Sequence, residues 1–528
     1  MQNTSLESRI AYLVHTQFDA LPKQSKPCIR GNGVKEWIPM SGIVLACHED
    51  TPEETLTCVA VTTGAKCLSA SQMPQSQGLI LHDSHAEILA LRAFNYWLIR
   101  ECRSILAWEK ERRDHDTPNP ESGDCEKYLT SPSPFVKRRT PPSTTTVWPP
   151  FELRKEVRVY MYCTCAPCGD ASMELCMASQ DDPTPWQIPS GHAATNDTTE
   201  ASISKKNLPQ LLDGRAHFSV LGVVRRKPSR ADAEATISKS CSDKLALKQI
   251  TSLLSFPTSL LVAPTQNAYL AGLILPEEEI SRTGCERAFG GGENGRLRSF
   301  SGRKWSYGNE LSYRYLPFSV KSVPTDEVEA QWDFGKPKKS SEPTTGENAP
   351  ISTAPKSKPG NISAVWIPAP SWSPSSSPTD PKGAKVSKPA IHMKELNETL
   401  LNGVKQGFHF SAPSPRKASV LSRARMWELL RETILEINPA LAEVVSDHEH
   451  GLSTPTATGT PLNHVLASRL YEDLKRGFPE DLQEGMLRER VSQDAKDIMG
   501  NWVRNRGDEG WGVEVLRESG KVHRKKVK

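Results

Sequence analysis

The stretch "DSHAEILALRAF" (residues 83–94) opens on His85-Ala86-Glu87 and runs into an apolar-periodic helix. A histidine followed two residues later by a glutamate, at the head of a helix, reads in two ways. It is an ordinary polar helix start, or it is a metal ligand with its proton shuttle. The pair alone does not decide between them, so the rest of the chain must.

Working outward, two further polar helix starts stand out: "APCGDA" with Cys168, and "SCSDK" with Cys241. Each is read here as the point where a strand gives way to a helix. Pro167 suits a first helical turn, where its missing N–H is no loss. Serine and aspartate in "CSDK" suit a cap. A cysteine at a helix N-terminus is held as the thiolate, the form that binds metal. Zinc in a catalytic site takes three protein ligands and leaves one position for water. His85, Cys168 and Cys241 supply such a set if their helices pack side by side. Glu87 then sits beside the open position and takes a proton from water. Zinc deaminases share this logic, with His/Cys/Cys ligands, a non-ligand glutamate and the signature H-x-E…P-C-x-x-C. Here Ala171 stands where the second cysteine of that signature falls, so the third ligand comes from Cys241. A competing zinc knuckle, "C-T-C-A-P-C", is offered by Cys163, Cys165 and Cys168, with Cys176 close by.

The chain has 528 residues, 37% of them hydrophobic, a net charge of +4 and a mean hydropathy of −0.50. That balance is low for a wholly packed chain, so disordered segments are expected. The N-terminus reads as an amphipathic helix carrying Ile10, Leu13, Val14 and Phe18, not as a signal peptide. No stretch is long and apolar enough to span a bilayer. An intracellular protein follows, in the nucleus or the cytoplasm ("RKKVK" at the C-terminus is a weak import signal). Its twelve cysteines are then thiols or ligands and not a disulfide framework. Inserts are expected at 107–147, 181–209, 336–360 and 373–388, all within one domain spanning 1–528. "FSVLGVVRRK" (218–227) reads as a strand, and 418–438 and 464–507 as helical. The glycine-rich "FGGGENGRLRSF" (289–300) lacks the Lys-Ser/Thr ending of a phosphate loop and reads as a turn.

"DSHAEI", "PCGDASM" and "SCSDKL", in that order and far apart, resemble the A-to-I editase domain. Adenosine deaminases acting on RNA share it with the tRNA-specific adenosine deaminases of eukaryotes. "VTTGAKCL" (61–68), "NISAVWIPA" (361–369) and "KASVLSRARMW" (417–427) fit the same branch. The resemblance implies a three-layer α/β/α cytidine-deaminase-like fold with a central mixed sheet and a C-terminal helical extension. It implies hydrolytic deamination of adenosine to inosine, with zinc as the metal. The deaminase begins almost at residue 1, leaving no room for a double-stranded-RNA-binding domain. The short segment "RRKPSRADAEATISKSCSDK" (225–244) is similar to the tRNA-specific branch, of fungal type. That branch acts on adenosine-37, 3′ to the anticodon of tRNA-Ala, so tRNA is the expected partner. No obligate protein partner and no membrane are implied.

The resemblance also implies inositol hexakisphosphate buried in the core. Arg92, Lys244, Arg423, Tyr471, Lys475, Lys496 and Trp511 match its ligands. Leu91 and Leu247 stand where editing relatives have arginines, and Lys248 where they have tryptophan. Lys66, Arg226 and Lys227 are candidate contacts to the tRNA backbone. Rival readings are a catalytically inactive zinc scaffold subunit, a plain zinc-binding RNA module, and a deaminase acting on another RNA, on cytidine or on a free nucleoside.

Overall fold

The strand Met40–Cys47 alternates between two hydrophobic clusters, and this alternation defines the layers. Ile43 and Leu45 point to one face, packed against Leu89, Ala93, Phe94 and Trp97 of a long helix. Met40, Val44 and Ala46 point to the other, against Ile10, Val14 and Phe18 of the helix Leu6–Asp19. That N-terminal helix lies so close that a Cβ on Gly42 would stand 2.5 Å from Val14. A sheet with helices on both faces is the expected α/β/α arrangement.

In this computed structural model the described residues are 4–28, 35–115, 132–139, 148–179, 212–214, 220–227, 234–308, 311–336, 358–373, 394–408, 411, 413–439, 441, 461–476 and 483–517. Among them the main sheet has eight strands. Their order is Ser319–Val323, Leu270–Pro276, Val157–Cys163, Met40–Cys47, Thr55–Thr63, Ile362–Ile367, Leu396–Leu401 and Val404–Lys405. The first three run parallel, and every later pairing is antiparallel. The sheet is therefore mixed, as expected. "NISAVWIPA" supplies its sixth strand, with Ala364, Val365 and Ile367 fully buried.

Several boundaries differ from the sequence reading. The helix beginning at Ala86 runs to His115, past the expected insert start at 107, because Ile105 and Leu106 still face the core. Within the same insert, Val136–Arg138 pairs with Phe151–Leu153. Lys358–Pro359 pairs with Glu36–Trp37, inside the stretch read as 336–360. Of the stretch read as a strand over 218–227, the described part is extended only at Arg225–Arg226. The helical extension consists of Arg423–Ile437, Pro461–Ala467, Tyr471–Arg476 and Gln483–Met499, and residues 500–512 are not helical. The glycine-rich 289–300 segment is a turn, as read, and its Arg296 pairs with Asp243. The inserts 181–209 and 373–388 lie almost wholly outside the described residues.

Candidate active site

His85 ends a short strand, Asp83–His85, whose partner is Ala65–Cys67. The helix starts at the next residue, and its entry is fixed by the Ala86 N–H donating to Gly64 O at 2.9 Å. Cys241 is the first residue of the helix Cys241–Thr251, capped by Ser240, whose hydroxyl accepts from the Asp243 N–H. Cys168 lies in an irregular turn two residues before a short helical turn, so Pro167 does not open a helix as expected. Two contacts join the cysteine segments. The Cys241 N–H points at Cys168 Sγ at 3.4 Å, and the Ser242 hydroxyl donates to the Pro167 carbonyl at 3.0 Å. Gly169 has φ +109°, and a Cβ there would stand 2.3 Å from Ser240 Oγ. Only glycine lets the turn approach the helix this closely.

The three candidate ligands come together. His85 Nδ1 is 3.8 Å from Cys168 Sγ and 3.6 Å from Cys241 Sγ. All three donor atoms lie within 4.8 Å of one another. A hydrogen bond from Cys241 holds the Cys168 thiol well below its ordinary range, against burial and helped by the Lys227 ammonium. Burial and that bond push the Cys241 thiol well up. Two sulfurs and an imidazole are a donor set for zinc. Cys67, Asp83 and His85 also lie close together, but Asp83 is fully engaged elsewhere. Cys163 accepts from Ser41, and burial pushes both its thiol and that of Cys165 up. Neither joins a candidate metal group among the described residues, so the knuckle reading is not what this geometry offers.

Glu87 sits in the first turn of the helix, 5% exposed. Burial raises its pKa above the usual carboxylate value, against the opposing charge of His85. A carboxyl placed there both takes up and releases a proton.

Behind the ligands lies an ion-pair chain that sequence reading missed. Asp83 accepts from the His85 N–H at 3.0 Å, from Lys227 at 2.9 Å, from Ser238 at 2.7 Å, and from Lys244. Burial opposes its charge, but Lys227 and Lys244 hold its carboxyl well below the usual range. Lys227 also reaches Cys241 Sγ at 3.1 Å. This corrects the reading of Lys227 as a surface contact to RNA: it is 3% exposed. Alternation through 225–227 turns Arg225 and Lys227 inward and leaves Arg226 half-buried on the other side. Lys66 is half-exposed, and its ammonium has no partner among the described residues.

The expected phosphate ligands also gather. Tyr471 stacks on Trp511 at 4.5 Å, and Arg423 lies over both rings. Arg423 further pairs with Asp508, which holds His82 at 2.8 Å. Lys475 lies 5.8 Å from the Tyr471 ring centre, although its side chain is exposed. Arg92 donates to the Leu421 carbonyl, and burial, then Arg423, lower its pKa to about 10. Burial, then Arg488 and Lys475, lower Lys496 to about 8. Lys244 is the exception, since it is committed to Asp83 and Ser238. Two cations were missed. Among the described residues Lys248 donates to the carbonyls of Leu253 and Leu254, and burial, then Arg488, hold its pKa well below the ordinary value. Arg488 Nε is buried with no hydrogen-bond partner among the described residues. The available signal was the departure at Lys248 itself, a cation where the family resemblance implies an aromatic.

The family model described as the adenosine-deaminase (editase) domain matches residues 60–125 and 142–304, ranges that contain His85, Glu87, Cys168 and Cys241. The tRNA-specific adenosine deaminase 1 of Schizosaccharomyces pombe is 35% identical over 328 residues, covering 62% of this chain and 70% of the relative. The chain belongs to the adenosine-deaminase (editase) family and is an enzyme that deaminates adenosine. Among its members, the tRNA-specific adenosine deaminase 1 of Saccharomyces cerevisiae is 31% identical over 252 residues, 47% of this chain and 54% of the relative. The double-stranded RNA-specific editase B2 of Mus musculus is 24% identical over 218 residues, 39% of this chain and 23% of the relative. Among the described residues no helix is long and apolar enough to cross a membrane.

Proposed function

We propose that this enzyme carries out zinc-dependent hydrolytic deamination of adenosine to inosine in tRNA, with the adenosine 3′ to the anticodon of tRNA-Ala as its target. The observation that carries the chemistry is the convergence of His85, Cys168 and Cys241 beside a buried Glu87. The tRNA assignment is supported by the fungal relatives, which are named for it.

His85, Cys168 and Cys241 would hold zinc, which when bound would acidify a water toward neutral pH. Glu87 takes a proton from the attacking water and gives it to N1 of adenine, while the oxygen adds to C6. The second proton passes through Glu87 to the exocyclic nitrogen, which leaves as ammonia. The C6–O bond becomes the carbonyl of inosine. The buried, raised-pKa position of Glu87 suits a group that must hold a proton between these steps. Lys227 and Asp83 orient the ligands: one contacts Cys241 Sγ, the other the His85 N–H. Lys66 and Arg226 contact the RNA backbone in this reading.

The residues also fit a buried polyanion, inositol hexakisphosphate in this reading. Arg92, Lys248, Arg488 and Lys496 face inward, and none of the four has a carboxylate ion-pair partner among the described residues. Such a cluster is costly unless an anion compensates it. Arg92, Arg423, Tyr471, Lys475, Lys496 and Trp511, with Lys248 and Arg488 added, would hold it.

The test is inosine formation on purified tRNA-Ala by wild type and Glu87→Gln, with bound zinc quantified in both. Wild type should form inosine 3′ to the anticodon. Glu87→Gln should keep its zinc and lose roughly 100-fold or more in rate. Equal rates would remove Glu87 from the mechanism. Zinc-loaded wild type that is inert on tRNA-Ala but active on another RNA would overturn the target.

A further inference from the structure

A cavity of about 120 Å³ lies beside the catalytic ribbon, lined by Lys66, Leu68, Gln72, Leu81, Ser84 and Asn402 among others. Lys66 and Ser84 are register partners, one residue along from the Ala65–His85 pair. Side chains alternate along a strand, so they occupy the face opposite Cys67, Asp83 and His85. Cys67 also lines the cavity and stands beside Asp83 and His85, so the cavity adjoins the candidate metal centre.

Apart from Cys67, whose thiol donates to Asp83, its polar side chains are uncommitted among the described residues. The Lys66 ammonium, the Gln72 and Asn402 amides and the Ser84 hydroxyl make no hydrogen bond or ion pair with any described residue. The backbone that carries them is fixed. The turn bearing Gln72 is held by the Ala70 N–H on Ala235 O and by Ser71 on Glu234. The Asn402-Gly403 turn is seated on Leu81, whose N–H donates to Gly403 O at 3.0 Å. A Cβ on Gly403 would stand 2.4 Å from the Leu81 carbonyl oxygen. Leu68 and Leu81 form a buried apolar floor.

We propose that this cavity is a subsite for the base of a nucleotide flanking the target adenosine, and that it makes deamination sensitive to that base. The inference rests on the RNA-substrate reading. The chemistry matches one nucleotide. An ammonium takes a phosphate, two amides offer donor and acceptor pairs to a base edge, and leucines cover the ring faces. The volume equals that of about four waters, enough for one heterocycle. A loop nucleotide is already unstacked from a duplex, so its edge is available for reading.

The test uses the full-length enzyme and tRNA anticodon stem-loops in which each nucleotide flanking the target is varied through four bases and an abasic site. Single-turnover deamination and binding, by fluorescence anisotropy, are both read. Wild type should favour one base at one flanking position by about tenfold over the abasic RNA. Gln72→Leu/Asn402→Gly should level that preference to within about twofold, with the abasic RNA treated alike by both enzymes. Glycine suits the φ of +51° at Asn402, so this change leaves the turn intact. Gln72→Glu keeps the size but removes the donors, and should change which base is favoured. If the preference survives in both variants, or wild type shows none in binding, the subsite is overturned. If wild type forms no inosine but its binding discriminates at one position and the double variant's does not, the subsite stands and the substrate reading falls.

Discussion

Replacing Asp83 by asparagine is the perturbation whose cost the structure specifies most directly. The Asp83 carboxylate is 7% exposed and takes hydrogen bonds from Lys227, Lys244, Ser238 and the His85 N–H. Asparagine keeps the shape and removes the charge. Lys227, 3% exposed, is then left facing Cys241 without its carboxylate. Lys244 is 23% exposed and swings toward water at less cost. Breaking a buried pair by removing one partner costs about 3–5 kcal/mol. At roughly 2–4 °C per kcal/mol for a mid-sized domain, the melting temperature falls on the order of 10 °C. The assay is urea unfolding of zinc-loaded wild type, Asp83→Asn, Lys227→Met and the double variant, with zinc content measured in each. The double variant no longer buries the stranded ammonium, so it should recover at least ~1 kcal/mol relative to the sum of the single changes. An Asp83→Asn protein within about 1 kcal/mol of wild type, or a double variant that is simply additive, would refute the claim that these charges act as one buried unit.

Gly169→Ala should weaken metal retention, because its Cβ would collide with Ser240 Oγ and drive the Cys168 turn away from Cys241. Faster zinc loss to a chelator is the expected readout, and unchanged loss would contradict the packing argument. Lys248→Met distinguishes an occupied basic cluster from an empty one. With a polyanion bound, the variant should lose bound phosphorus by elemental analysis and melt lower, whereas with no anion it should melt higher. His15 is 2% exposed, and burial lowers its pKa to about 4. The unfolded chain binds a proton there near pH 6.5 and the folded chain does not. Stability therefore falls as pH drops from about 6.5 toward 4, by up to roughly 3 kcal/mol for this group. His15→Gln should reduce the difference between unfolding at pH 7.5 and pH 5, and an unchanged difference would remove His15 as a source.

The local chemistry of this enzyme is written in short stretches of its sequence. The His85-Ala86-Glu87 spacing follows from one strand end and one helical turn. A cap is visible in "SCSDK", although the structure puts it on Ser240 and not on the serine of "CSDK", and the alternation of Met40–Cys47 assigns its own two faces. These are contacts within a few residues, so the period of the chain suffices to read them. The tertiary structure decides what separate stretches do to one another. Lys227 reads as a surface cation in "RRK", yet it meets Asp83 across 144 residues of chain. Lys248 is legible only as a departure from the tryptophan that the family resemblance implies, but Arg488, brought alongside by a helix far down the sequence, makes it part of an inward-facing basic cluster. Whether a charge faces water or a partner depends on which distant segment packs over it. Composition and periodicity carry no record of that choice, because it is made only when the helices close on the sheet.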